Sequence, residues 1–206
     1  MSGYTRKDAA YREARRAGYR SRAALKLIEL DRKYRLLAPG MRVVDLGCWP
    51  GGWLQVAAER VGVRGRVVGI DLEATEPLDA NVVILRGDVF DRASQEQVRA
   101  ALGGPADLLM SDMAPKLSGV KVVDHQRHLA LVELAADWAR NLLGPKGRVV
   151  IKLFSDVESE ATVALKIGFR SVLKHRPPST RKGSSEIYVI ASGPKPSAPL
   201  PRPTDV

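Results

Sequence analysis

Two lysines and two carboxylates, Lys26, Asp112, Lys152 and Glu186, stand where the chain passes from one regular element to the next. Brought together, such side chains form a polar cluster that can hold a hydroxyl group and handle its proton. A hydroxyl is a weak nucleophile at neutral pH, so it must be aligned with the bond that breaks and it wants a base. A lysine serves as that base where burial and a neighbouring cation favour its neutral form, and acidic neighbours oppose this. For Lys152 three roles therefore stand open: base, proton acceptor through water, and electrostatic positioner. Taken singly, each residue also has an ordinary reading. Lys152 is then a strand-end lysine reaching for solvent, Glu186 a salt-bridge partner, and Asp112 a turn former ahead of Pro115.

A second motif tips the balance. The apolar run Val43-Val44-Asp45-Leu46 closes on Gly47-Cys48-Trp49-Pro50-Gly51-Gly52-Trp53 and then takes up helical spacing. A strand, a Gly/Pro loop and a helix opening at Gly52 form the first βα turn of a doubly wound sheet, where ligands bind at the carboxyl ends of the strands. Gly47, Gly51 and Gly52 let the backbone come close to a ligand, and the helix N-terminus favours an anionic group such as a methionine carboxylate. Asp71 ends the next apolar run about 20 residues on, where a carboxylate accepts hydrogen bonds from ribose hydroxyls. Asp88, in Arg86-Gly87-Asp88, ends the third run and is placed to accept from an adenine amino group. A dinucleotide is disfavoured, because Trp49 stands at the place of the second glycine of G-x-G-x-x-G and would obstruct a pyrophosphate.

These residues need a scaffold, and the hydrophobic pattern supplies one. β-branched runs predict seven strands, over 42–46, 66–70, 81–85, 107–111, 147–153, 171–174 and 186–191. Helical spacing predicts helices over 52–61, 94–102, 124–143 and 157–167, with Trp53, Val56, Ala57 and Arg60 on one face of the first. The alternation implies an α/β fold, a doubly wound, mostly parallel sheet with helices on both faces. Upstream, Ser21 is expected to cap a helix reaching Tyr34, with Leu25, Ile28 and Leu27 facing the domain and Lys26 riding on it. Residues 1–192 are read as a single domain including a basic helical extension over about 1–41. Residues 193–206 read as a Pro-rich tail with too few apolar groups to pack.

Composition narrows the class. The 206 residues carry a net charge of +10, unevenly spread. Residues 1–42 hold 12 Lys/Arg against 4 Asp/Glu, residues 43–169 hold 14 against 17, and residues 170–206 hold 7 against 2. Basic ends on a mildly acidic middle attract a polyanion, since each neutralised phosphate releases condensed counterions. Arg12, Arg15, Arg16, Arg20 and Arg22, with Arg6, are the candidates to track a nucleic-acid backbone. No bulky apolar face accompanies them, which disfavours an anionic membrane, and no apolar run approaches the ~18 residues of a membrane helix. One cysteine, Cys48, excludes an internal disulfide, and it is read as a packed or ligand-adjacent thiol. The three histidines, without nearby thiols, offer no metal set, and His125 and His128 are read as surface residues at a helix start. A reducing, cytoplasmic setting fits, and a monomer is expected.

From Tyr19-Arg20-Ser21-Arg22 through Asp45-Leu46-Gly47, Pro50-Gly51-Gly52-Trp53, Ser111-Asp112-Met113-Ala114-Pro115 and Ile151-Lys152-Leu153-Phe154 to Ser185-Glu186-Ile187-Tyr188, the chain resembles the FtsJ/RrmJ (RlmE) family. That family consists of Rossmann-like class I methyltransferases acting on a ribose 2′-hydroxyl in 23S ribosomal RNA. The resemblance spans about Tyr19 to Gly193. It implies a Lys-Asp-Lys-Glu tetrad at Lys26, Asp112, Lys152 and Glu186. It also implies S-adenosyl-L-methionine held by Gly51, Trp53, Asp71, Asp88 and Asp112, and ribosomal RNA of the large subunit, with a uridine target, as substrate. Cys48-Trp49 and Ser155-Asp156 depart from the family pattern. Competing functions are 2′-O-methylation of transfer RNA or an mRNA cap, and a non-catalytic RNA-binding ribosome-assembly factor.

Overall fold

The computed structural model describes residues 9–177 and 185–196. Five strands run parallel: β1 (Arg42–Leu46), β2 (Arg66–Asp71), β3 (Val82–Arg86), β4 (Ala106–Ser111) and β5 (Leu143–Phe154). At the far side, β7 (Glu186–Pro194) is inserted antiparallel between β5 and β6 (Phe169–His175). The sheet order is β3-β2-β1-β4-β5-β7-β6. Chain direction across the sheet reverses between β1 and β4, and a doubly wound sheet opens its ligand crevice at that point.

All seven expected strands are present. Interior strands read as apolar runs because helices bury both faces. On one side Val44, Leu46, Val68 and Ile70 pack with α4 (Arg92–Leu102), α5 (Lys121–Leu142) and α6 (Glu158–Gly168). On the other, Val43 and Val67 pack with α2 (Ala23–Tyr34) and α3 (Gly52–Val61). A further helix, α1 (Ala9–Arg16), precedes them.

The differences from expectation lie mainly outside the strands. Helix α2 begins at Ala23, and Arg22 at its N-cap provides no side-chain cap. Ser21 is used otherwise: a Cβ added at Gly52 would sit 2.2 Å from Ser21 Oγ, so glycine there lets the chain entering α2 press against the start of α3. The buried face of α2 is Ala24, Leu27 and Leu30, with Lys26, whereas Leu25 and Ile28 are half-buried. On α3, Trp53, Val56 and Ala57 are buried as expected, but Arg60 reaches outward, its Nε 3.5 Å from Asp31 Oδ2. His128 is no surface residue: it is 2% exposed, ring to ring with Phe154 at 4.9 Å. Strand β7 continues through Gly193 to Pro194, which pairs with Phe169, so these residues belong to the sheet and not to the tail. Arg6, the segment 178–184 and residues from 197 onward lie outside the described residues.

Helix α2 is fastened at both ends, which fixes the register of Lys26. The Trp53 indole N–H donates to Ala23 O (2.7 Å) at its start. At its end, Arg148 of β5 donates to the carbonyls of Tyr34 (3.0 Å), Arg35 (2.5 Å) and Leu36 (3.0 Å). A guanidinium there satisfies carbonyls that the helix leaves without intrahelical donors.

Candidate active site

The turn after β1 is built by backbone. Gly47 N–H donates to Ile70 O (2.9 Å), and Gly51 N–H closes the loop on Cys48 O (2.7 Å). Gly51 has φ 104°, a left-handed conformation that glycine adopts at no cost. Helix α3 then starts at Gly52, leaving its first N–H groups for a ligand. Asp71, at the end of β2, shapes the same turn: its Oδ2 accepts from Trp49 N–H (2.9 Å) and its Oδ1 from Glu73 N–H (2.9 Å). Asp88 follows β3, exposed, with Oδ1 accepting from Phe90 N–H (2.9 Å). Trp53 is different, because its side chain is 3% exposed and committed to the core, so only its backbone faces the turn. Cys48 is packed, its Sγ 3.9 Å from Thr75 Oγ1, and burial pushes the thiol pKa up, which keeps it protonated.

Asp45 is a further candidate, which the motif reading passed over as part of the strand. Its side chain is 1% exposed and Oδ2 has no hydrogen-bond partner. Burial, then the nearby Asp112 and Asp71 carboxylates, push its carboxyl well above the usual range. An unpaired buried acceptor beside a glycine turn and a helix N-terminus is complementary to a ligand carrying both a donor group and a carboxylate. An amino-acid moiety has both.

The four charged residues converge. Lys26 Nζ is 2.5 Å from Glu186 Oε1, bringing α2 onto the start of β7. Lys152 Nζ, near the end of β5, is 3.0 Å from Asp112 Oδ1 and also donates to the Asp112 carbonyl. Between the pairs lies Tyr188, absent from the sequence-based set. Its hydroxyl donates to Asp112 Oδ1 (2.9 Å), its ring centroid is 5.8 Å from Lys26 Nζ, and in the β5–β7 ladder it stands opposite Lys152. Burial, then the Asp112 and Glu186 carboxylates, push its phenol pKa well up, so it stays a donor. Both lysines are 8% exposed. The sequence signal for Tyr188 was its position two residues after Glu186, on the same face of a strand.

Of the five arginines, Arg12, Arg15 and Arg16 are exposed on α1. Arg22 is half-buried and acts electrostatically on Tyr188. Arg20 donates to the carbonyls of Glu76 and Pro77. Beyond Asp112, the loop 113–120 is tied down by Asp124, which accepts from Ser118 N–H (2.7 Å), Ser118 Oγ–H (2.7 Å) and Gly119 N–H (3.1 Å). Among the described residues no helix is long and apolar enough to cross a membrane, and no group of three or more His, Cys, Asp or Glu is placed to hold a metal.

A glycine turn at the switch point of a seven-stranded sheet whose last strand is antiparallel marks a class I methyltransferase. Comparison with known proteins agrees. The model of the FtsJ-like methyltransferase family matches residues 19–194. A protein named ribosomal RNA large subunit methyltransferase E from Paramagnetospirillum magneticum is 44% identical over 192 residues, covering 90% of this chain and 78% of its own. Its namesake in Methanothrix thermoacetophila is 47% identical over 185 residues, covering 89% and 71%. A crystal structure described as a ribosomal RNA methyltransferase of Plasmodium falciparum superposes with TM-score 0.73 at 28% identity, over 85% of this chain and 98% of that one. Fibrillarin of Aeropyrum pernix, at 18% identity and TM-score 0.57 over 84% and 75%, shares the fold. The chain belongs to the FtsJ-like methyltransferase family.

Proposed function

We propose that this protein transfers a methyl group from S-adenosyl-L-methionine to the 2′-hydroxyl of a ribose, a uridine, in 23S ribosomal RNA within the large ribosomal subunit. It acts as a monomer in the cytoplasm. The observation that carries the reading is the cluster Glu186–Lys26, Tyr188 and Asp112–Lys152, built at the strand ends beside the glycine turn. The names of the relatives supply the substrate: both are large-subunit ribosomal RNA methyltransferases.

The cofactor fits the donor set. The Gly51–Gly52 turn and the α3 N-terminus suit its carboxylate, the unpaired Asp45 oxygen suits its ammonium, and Asp71 and Asp88 suit ribose and adenine. When bound, it supplies a methyl group on a positively charged sulfur. The protein has to present a hydroxyl oxygen in line with that methyl and take up its proton. Lys152 and Asp112, already hydrogen-bonded to each other, hold the oxygen and receive the proton. Tyr188 fixes the Asp112 carboxylate by donating to it, and the Lys26–Glu186 pair closes the side of the site next to α2. Exposed Arg12, Arg15 and Arg16 meet the RNA backbone.

The test compares initial rates, with labelled methyl donor, on large subunits from a strain lacking this modification, on naked ribosomal RNA and on transfer RNA. Large subunits should be the preferred acceptor. A preference for transfer RNA would overturn the substrate, and absence of turnover on all three would leave an RNA-binding protein without the reaction.

A further inference from the structure

Arg20 sits in the basic stretch before α2, yet its guanidinium points at protein. Nη1 donates to Glu76 O (2.7 Å) and Nη2 to Pro77 O (2.8 Å), both in the β2–β3 loop that follows Asp71. Its backbone N–H donates to Gln55 Oε1 (2.8 Å), and Gln55 Nε2 donates to Gly18 O (3.1 Å), so α3 pins the chain on both sides of Tyr19. The guanidinium crosses the glycine turn on its way: a Cβ added at Gly51 would lie 2.9 Å from Arg20 Nη1 and 3.3 Å from Thr75 Cγ2. Thr75, of the same loop, also reaches Cys48 Sγ at 3.9 Å.

We propose that Arg20 is a positioning residue of the cofactor site: it clasps the β2–β3 loop down onto the Gly51 turn, and it does not serve as a phosphate contact for RNA. The inference rests on the reading of that turn as the S-adenosylmethionine site. Physically, a loop of ten residues between Asp71 and Val82 with no regular structure over 74–79 is costly to order on binding. Its stem is held by Asp71 through Glu73 N–H, and its far part is held by two bonds from one charged donor. Planar donors in a fixed fork suit two successive carbonyls in a way a single ammonium does not. Releasing them would let the far part of the loop lift from Gly51, and each cofactor molecule would then bear the cost of closing it. The clasp therefore governs affinity, whereas the hydroxyl-facing cluster governs rate.

The experiment is calorimetric titration of S-adenosylmethionine into the full chain, wild type and variants, with RNA affinity measured across a salt series on a 23S ribosomal RNA fragment. Arg20→Ala should bind cofactor about 10-fold more weakly, the effect of losing hydrogen bonds from a charged donor. Turnover at saturating cofactor should stay near wild type, as should the slope of RNA affinity against salt. Arg20→Lys should recover part of the loss. Gln55→Ala, which frees the backbone of Arg20 and spares its guanidinium, should weaken cofactor binding by roughly 3-fold, the effect of losing a neutral hydrogen bond. The triple variant Arg12→Ala, Arg15→Ala, Arg16→Ala should do the opposite, keeping cofactor affinity and flattening the salt slope by roughly 0.7 to 0.9 per lost contact. Arg20→Ala with wild-type cofactor affinity, or with a salt slope flattened like that of the triple variant, overturns the inference and leaves the cofactor reading standing. A wild-type protein that binds no S-adenosylmethionine overturns both.

Discussion

The two halves of the site are made of different material. The proposed cofactor half is mostly backbone and, apart from the Arg20 clasp, lies within residues 45–88: a turn with two left-handed glycines, Gly47 and Gly51, a helix start and two strand-end carboxylates that themselves accept backbone N–H groups. The proposed catalytic half is side chain, and its members come from α2, the residue after β4, β5 and β7, with Lys26 and Glu186 separated by 160 positions yet 2.5 Å apart. Backbone sites tolerate outside change but depend on local conformation. Side-chain sites depend on long-range packing and fail at a single atom.

The sharpest way to break that contrast is at Lys152. Lys152→Ala should lower methyl transfer by roughly 10²- to 10⁴-fold, the range for losing a group that handles a proton in the transition state. Cofactor affinity should hold, since the bonds Lys152 makes run to Asp112. Single-turnover assays beside calorimetry would read the two quantities, and a comparable drop in both would mean the halves are not separate.

A smaller and opposite effect is expected at Asp88. Asp88→Ala should weaken cofactor binding by ~1 to 3 kcal/mol, the cost of removing one polar partner, with turnover at saturating cofactor retained. Unchanged affinity would take Asp88 out of the cofactor half.

The smallest effect is on stability and concerns His128, beneath the end of the strand that carries Lys152. Burial holds its pKa below the ordinary value; Asp156 pushes it up, and Lys152 and His125 push it down again. Its imidazole has no hydrogen-bond partner and its Nδ1 is 3.5 Å from Asp156 Oδ1. A folded pKa below the unfolded one means the unfolded chain binds more protons, so stability is full above the unfolded value of about 6.5 and is lost as pH falls through the folded one. Melting temperature should therefore drop as pH goes below about 6.5, and His128→Leu should flatten that drop. His175, lowered by burial and by Lys33 against the opposing Glu29, contributes in the same direction. Parallel slopes for wild type and variant would remove His128 from the account.

The same contrast decides what could be read from the sequence. β1 and α3 were expected at the bounds the structure shows, because Val43-Val44-Asp45-Leu46-Gly47 and Pro50-Gly51-Gly52-Trp53 report local conformation. Helix α2 starts one residue later than a Ser21 cap implies, and only the close approach of Gly52 explains the other use of Ser21. Tyr188 and Asp45 were invisible as site residues, since each reads as one more member of a buried strand until its polar atom is seen facing Asp112 or facing nothing. Arg20 and its neighbours are alike in type and charge, and only the carbonyls of Glu76 and Pro77 tell them apart. His128 fell on a helix start and looked solvated, although the helix turns that position toward Phe154. Local chemistry is legible in a linear text. Which of two similar side chains meets which distant partner is not.

The insertion of β7 between β5 and β6 also orders events in time. β6 precedes β7 in the chain yet lies outside it and pairs with it, so β6 has no place in the sheet until β7 is laid against β5. Residues 42–88 leave the ribosome well before Glu186 does, and parallel neighbours β1 and β2 can pair through the α3 crossover while the rest is still being made. Glu186 reaches Lys26, and Tyr188 reaches Asp112, only when β7 is laid against β5. A growing chain thus acquires a place for its methyl donor early and the means to use it late, so synthesis itself withholds reactivity until the sheet is closed.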